Sequence, residues 1–370
     1  MQRKLRIGYF AHSLRSDWNN GNAHFLRGLL RALHCAGNEV TAYEPESAWS
    51  IDNLLAEGEG PKALDRFTTL FSDLDIQTYA ADDTNELWRE RLRGMDLIIL
   101  HEWNPPELAS LLVNLKEELG YSLLFHDTHH RASSSPESFA QLGLKQFDGV
   151  LAFGRALEMI YRERFCLNNV WTLHEAADTT NFHPLQEIMR EPLVVWIGNW
   201  GDGERSREIR DYLLQPAEAL APEARTRIYG VRYPQEGLES LRAHGVEYAG
   251  YLPNFDAPLV YAGATLTVHI PRQQYTQVMD GIPTIRVFEA LACGIPLVSA
   301  PWRDNEELFR QGDFAMATSP REMLDGMRTL LREPHLAQEQ AARGMETVLA
   351  RHTCAHRAAE LIDIVKEIRA

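Results

Sequence analysis

Three histidines, an aspartate and an arginine fall within six residues, His126-Asp127-Thr128-His129-His130-Arg131, directly after an apolar run at 121–125. The end of a strand is where an open parallel sheet presents its reactive groups. His126, Asp127 and His129 are therefore candidate catalytic residues, because imidazole or carboxylate can take a proton from a hydroxyl near neutral pH. The competing readings are a metal site and plain loop hydrogen bonding, and the run lacks the HExxH spacing of a zinc helix. A second strand-end run, His101-Glu102-Trp103-Asn104-Pro105-Pro106, offers His101 and Trp103. That indole either stacks on a ligand ring or packs under the Pro-Pro turn.

Two further runs suit an anion. In Gly198-Asn199-Trp200-Gly201-Asp202-Gly203-Glu204-Arg205, glycines between a strand and a helix let the backbone approach a ligand, and a helix start offers unpaired N–H groups. Gly198, Asn199 and Arg205 are the candidates there, with a glycine-rich surface turn as the alternative. The second run is 281–296, GIPTIRVFEALACGIP. A helix starting near Pro283 or Thr284 would present the N–H groups of Thr284 and Ile285 to a diphosphate, with Arg286 in its first turn. Glu289 falls inside the apolar part of that helix and needs a partner if buried. The partner is either a pair of ribose hydroxyls or Arg286, three residues away. The polar loop 11–22 carries Gly21 and Asn22 and reads equally as a ligand loop or as an ordinary loop in which Asn22 caps the next helix.

Apolar strand, polar loop and amphipathic helix alternate along the 370 residues, which reads as βαβ units around parallel sheets. Strands are expected at 5–10, 39–43, 95–100, 121–125, 149–153 and 170–173, then at 193–197, 226–229, 246–249, 264–270 and 295–299. Helices are expected at 23–36, 155–164, 284–293 and over most of the chain beyond 320. Residues 51–93 carry helices and a short strand without a clear pattern. A linker is placed at 174–192, where periodicity fades and Pro184 and Pro192 occur.

Lys and Arg number 37 against 52 Asp and Glu, a formal charge of −15, which disfavours a broad nucleic-acid surface. The four cysteines form no CxxC pair, so neither a disulfide framework nor a zinc site is expected. There is no apolar run of transmembrane length and no signal-type leader at residues 1–6. A reducing cytosolic setting follows as the expectation, with a peripheral place at the inner face of a membrane left open.

RVFEALACGIPLVSAP resembles the C-terminal signature of GT-B glycosyltransferases, in particular the spore-maturation-type group of the "glycosyl transferases group 1" superfamily. ADTTNFHP at 177–184, WIGNWGDGERSREI at 196–209 and GYLP at 250–253 follow the family pattern in order. The resemblance is most specific over 192–318 and thinner over 1–175. It implies an α/β chain of two Rossmann-like domains facing across a cleft. Residues 1–175 would bind the acceptor and 190–350 the nucleotide sugar, and a helix at 353–370 would pack back on the N-terminal domain. It implies ribose binding by Glu289, a diphosphate cradle at Thr284, Ile285 and Arg286, and phosphate or sugar contacts from Gly198, Asn199 and Arg205. It further implies base contacts near Gly230, Arg232, Tyr251 and Leu252, and places Gly21 and Asn22 at the glycine loop of the acceptor side.

Many retaining members carry a second glutamate eight residues before Glu289; here that position is Gly281, with Asp280 beside it. The implied activity is transfer of a sugar from a nucleotide diphosphate sugar to an acceptor, with no cofactor and no bound metal. A nucleotide-sugar epimerase of similar architecture and a non-catalytic two-lobed sugar-binding protein are the alternatives. An NAD enzyme is disfavoured because no GxGxxG follows a strand.

Overall fold

The computed structural model describes residues 4–186, 188–201 and 203–369. The chain divides into two compact units, one running to Glu175 and resuming at Cys354, the other spanning Ala176–Thr353.

The first unit is built on β1 (Arg6–Phe10), β2 (Glu39–Pro45), β3 (Asp75–Tyr79), β4 (Leu97–His101), β5 (Ser122–Asp127), β6 (Gly149–Ala152) and β7 (Val170–Thr172). Their order is β3-β2-β1-β4-β5-β6-β7, and every pairing is parallel. Parallel strands are covered on both faces, which is why β4 reads as an unbroken apolar run and is buried throughout. The strand order reverses between β1 and β4, the switch point at which open sheets hold ligands. Register then does the positioning: Leu100 pairs with Phe125 and His101 with His126, so the two histidines stand on adjacent strand ends.

The helix Ala23–Cys35 buries Phe25, Leu26, Leu29, Leu30 and Leu33, the stripe expected from spacing, and the chain turns out of it at Gly37 with φ 94°. It also buries Ala23, His24, Arg27 and Gly28, because the helix Cys354–Arg369 packs against it. In the segment without a clear pattern, helices lie at Trp49–Ala56, Gly60–Leu70 and Asn85–Leu92, around the edge strand β3.

The second unit carries β8 (Glu191–Ile197), β9 (Arg225–Tyr229), β10 (Glu247–Tyr248), β11 (Ala264–His269), β12 (Leu297–Ser299) and β13 (Ala315–Met316), in the order β10-β9-β8-β11-β12-β13. Its pairings are parallel too, and its switch point lies between β8 and β11. The glycine loop follows β8, and the segment leading to the helix Ile285–Ala292 follows β11. Before that helix the chain makes a π-helical turn at Gln274–Val278, for which the pattern of residues gives no warning. Each sheet thus ends its two central strands in the loops singled out by residue type. Among the described residues, no helix is long and apolar enough to cross a membrane.

Candidate functional site

In the first unit the ends of β1, β4 and β5 bring together His12, His101, Glu102, Trp103, His126, Asp127, Thr128 and His129. His126 is fully buried, and its Nδ1 lies 2.7 Å from the Tyr9 hydroxyl. Its other nitrogen, Nε2, is buried with no hydrogen-bond partner, as are Nδ1 of His101 and Nδ1 of His12. The His12 ring stacks on His101 at 5.5 Å, and His101 meets His126 edge-on at 5.8 Å. Burial holds these imidazoles neutral. It pushes His126 down to about 3 and, with the Arg131 charge second, His12 to about 4. His101 is held well below its usual value by burial and then by the neighbouring histidines His12, His126 and His129.

Asp127 is also fully buried. Its Oδ1 accepts from the His129 backbone N–H at 2.9 Å and its Oδ2 from the Tyr161 hydroxyl at 2.6 Å. Both oxygens are therefore engaged within the protein, which gives Asp127 a part in holding the loop beside the catalytic role expected of it. The His129 ring lies against Trp103 at 5.1 Å and His130 at 4.0 Å. Trp103 is 43% exposed, with the Arg131 guanidinium 4.3 Å from its ring centre, so it is not packed away beneath the prolines. Asn22 does not cap its helix. Its Nδ2 donates to the Thr128 carbonyl and hydroxyl, both at 3.0 Å, tying the first loop to the end of β5. Gly21 sits half-buried in the turn beside it. Arg27, fully buried, braces the same loop through the Leu14 carbonyl at 2.7 Å and Asp17 at 3.1 Å.

In the second unit Glu289 is fully buried on the helix Ile285–Ala292. Its Oε2 accepts from Arg286 Nη1 at 2.5 Å and its Oε1 from Asn254 Nδ2 at 3.1 Å. The structural pair weighed against ribose binding is thus present in the protein alone. A carboxylate has about four lone-pair sites, so the pair leaves acceptor capacity for hydroxyls. Asn254 escapes sequence reasoning; its only signal is its place just after GYLP. Tyr251 and Leu252 of that loop are half-buried. Thr284 precedes the first helical turn in extended backbone, followed by buried Ile285. Asp280, beside the position where relatives carry a glutamate, lies 3.2 Å from Asn305 Nδ2 and 3.6 Å from Arg303.

The glycine loop is held from within. Arg205 is buried over the Trp196 ring and donates to the carbonyls of Asn199 and Ile270 at 2.5–3.1 Å. Burial lowers it to about 9. Three of its five N–H groups thus serve carbonyls and make it a strut between two strand-end loops, beside the phosphate contact expected of it. Asn199 Oδ1 accepts from Val231 N–H at 2.9 Å. A Cβ on Gly230 would lie 2.3 Å from the Gly198 carbonyl oxygen, so these two loops require glycine where they touch. Gly201 and Gly203 adopt φ 88° and 87°, the left-handed region. Asp202 of this run lies outside the described residues. Among the described residues, no group of three or more His, Cys, Asp or Glu is disposed to hold a metal ion.

Residues 207–363 match a protein family described as "Glycosyl transferase-like". No curated protein sequence matches the chain. Among solved structures, HepE of Anabaena in complex with UDP and glucose superposes with a TM-score of 0.69 at 12% identity, covering 98% of this chain and 99% of that one. An alpha-glucosyltransferase in complex with UDP and DNA gives 0.69 at 11%, covering 98% and 100%. A mutant of S. aureus TarM in complex with Fondaparinux, alpha-GlcNAc-glycerol and UDP gives 0.67 at 10%, covering 98% and 99%. The chain therefore has the GT-B fold of these structures, and its residues 207–363 are similar to the family described as glycosyl transferase-like.

Proposed function

We propose that the protein is a glycosyltransferase that moves a sugar from a nucleotide diphosphate sugar to an acceptor hydroxyl, and that it belongs to the spore-maturation-type group. The observation that carries this reading is Glu289. It is a fully buried carboxylate on the helix Ile285–Ala292 that follows β11 in the chain, with Arg286 in its first turn. That helix start would take the diphosphate at Thr284 and Ile285, Arg286 would offset its charge, and Glu289 with Asn254 would hold the ribose. Tyr251 and Leu252 would flank the base. Gly198 and Asn199 would line the sugar phosphate, with Arg205 and Gly230 fixing their loop. The three solved neighbours were crystallised with UDP, which makes a UDP-sugar the first donor to test.

The first unit would receive the acceptor. His126 and His101, neutral and each with a buried nitrogen lacking a partner, would hydrogen-bond to hydroxyls, and Trp103 would offer a ring face. The histidine loop with His129, and Gly21 with Asn22, would shape the approach. Rate enhancement would come from orientation and from stabilising the leaving diphosphate, with no resident metal. One neighbour was crystallised with DNA, but a net charge of −15 speaks against a nucleic-acid acceptor here.

Calorimetry with UDP, GDP, TDP, ADP and CMP tests the donor site. One nucleotide should bind the wild type, and Arg286→Ala or Glu289→Ala should abolish that binding. Wild-type affinity in both variants would remove the donor-site assignment.

A further inference from the structure

The ends of β4 and β5 hold a group that the proposed transfer leaves without a role. The Glu102 side chain has no exposure to solvent. Its Oε1 accepts from the Thr128 hydroxyl at 3.4 Å, while its Oε2 is buried without a hydrogen-bond partner. Asp127 lies within hydrogen-bonding reach of Glu102. Asp127 already accepts through both oxygens, from His129 N–H and the Tyr161 hydroxyl, and as a carboxylate it has nothing to donate. Two ionised carboxylates here would set acceptor against acceptor in a region that water does not reach.

We propose that Glu102 and Asp127 hold one proton between them at neutral pH, on Glu102 Oε2, and that Glu102 in this form fixes the tautomer of His101. With that proton in place every hydrogen bond points one way. Glu102 Oε2–H donates to Asp127, leaving Oε1 as the acceptor for the Thr128 hydroxyl. The Thr128 oxygen then accepts from Asn22 Nδ2 and from His101 Nε2, each at 3.0 Å. His101 is thereby the Nε2–H tautomer, with a lone pair on Nδ1, the buried nitrogen that lacks a donor. Glu102 is a positioning residue that acts through Thr128.

Other ionisable groups face the pair. Arg131 contributes a positive charge acting on both carboxyls, His101 Nε2 lies 3.8 Å from Glu102 Oε1, and the Tyr161 and Tyr9 hydroxyls feel Glu102. Burial first, then the Asp127 charge, push Glu102 well above the usual carboxylate range.

Two measurements on the full chain at about pH 7.5, above the ordinary histidine range, test this. Infrared spectra of protein carrying 13C-labelled glutamate should show an un-ionised carboxylic acid band that disappears in Glu102→Gln. A wild type with every glutamate ionised, or a band that survives in Glu102→Gln, would overturn the shared proton. Nitrogen NMR of labelled histidine should show His101 protonated on Nε2 in the wild type. Glu102→Gln should preserve it, because the amide reproduces one acceptor and one donor, whereas Glu102→Ala should release Thr128 and admit the Nδ1–H form. His101 protonated on Nδ1 in the wild type, or one tautomer in all three proteins, would overturn the relay. The wild-type spectra decide even if a variant fails to fold. Neither readout depends on glycosyl transfer, so failure here and failure of the donor site are separable.

Discussion

The strand ends of the two units solve opposite problems. In the first unit, His12, His101 and His126 are neutral and keep buried nitrogens without partners. In the second, one such histidine occurs, His269 at the end of β11, and the buried charges are matched within the protein: Glu289 by Arg286 and Asn254, and the Arg205 guanidinium by backbone carbonyls. Unmet hydrogen-bonding capacity is costly to bury and suits a site completed by hydroxyls. Matched charge is a preorganised site, whose groups stay oriented before a charged ligand arrives. The same strand–loop–helix plan thus carries a neutral reading surface in one unit and a charge clamp in the other.

The largest expected departure between the units is in acid. A histidine whose folded value is depressed adds stability that is complete above about pH 6.5 and is lost as pH falls toward the folded value. The fully buried His101 and His126 each act so, and the half-buried His12 acts in part. Glu102 opposes them: its raised folded value adds stability that grows as pH falls toward the ordinary carboxylate range. Asp127, also raised by burial, acts with Glu102, and the three histidines act against both, so the first unit loses stability as pH falls through the histidine range. In the second unit His269, held at about 3 by burial, acts in that direction, and the raised Asp304 opposes it. Hydrogen exchange resolved by unit should show the first unit opening before the second as pH is lowered; simultaneous opening would break the contrast.

Next in size is the clamp itself. Arg286→Met removes the cationic partner of buried Glu289, and removing one partner of a buried ion pair costs about 3 kcal/mol or more. Denaturant unfolding should show that loss, and a nucleotide that binds there should no longer raise the midpoint. A variant within about 0.5 kcal/mol of wild type would mean that the Arg286 contact is not what holds Glu289 in place.

Residue type and local period reveal much of this arrangement. The strands flanking both switch points are apolar runs, and the loops after them stand out by their glycines and histidines. Arg286 and Glu289 are three apart on one helix, so their pairing is visible from spacing. What stays hidden is nonlocal. Tyr9 and His126 are 117 residues apart, Asn254 and Glu289 35, and Glu102 and Thr128 26. No local pattern encodes such partners. Asn22 shows the same conflict, because a residue type suited to capping the next turn is drawn instead to Thr128, 106 residues on. Arg205 looks like a phosphate ligand by composition, and only the path of the chain brings the Ile270 carbonyl within 3.0 Å of it.

The smallest structural effect sharpens the contrast most. Trp103 is 43% exposed and its main partner is the Arg131 guanidinium, a contact that stabilises by about 0.5–1 kcal/mol at such a site. Trp103→Ala should therefore leave the unfolding midpoint nearly unchanged and leave nucleotide binding, a property of the second unit, intact. If the first unit receives the acceptor, the same variant should raise the acceptor KM or lower kcat/KM by about tenfold, the loss of roughly 1.4 kcal/mol of ring contact. Loss of nucleotide binding instead would mean that the aromatic face of the first unit serves the donor, and the division between a neutral reading surface and a charge clamp would have to be redrawn.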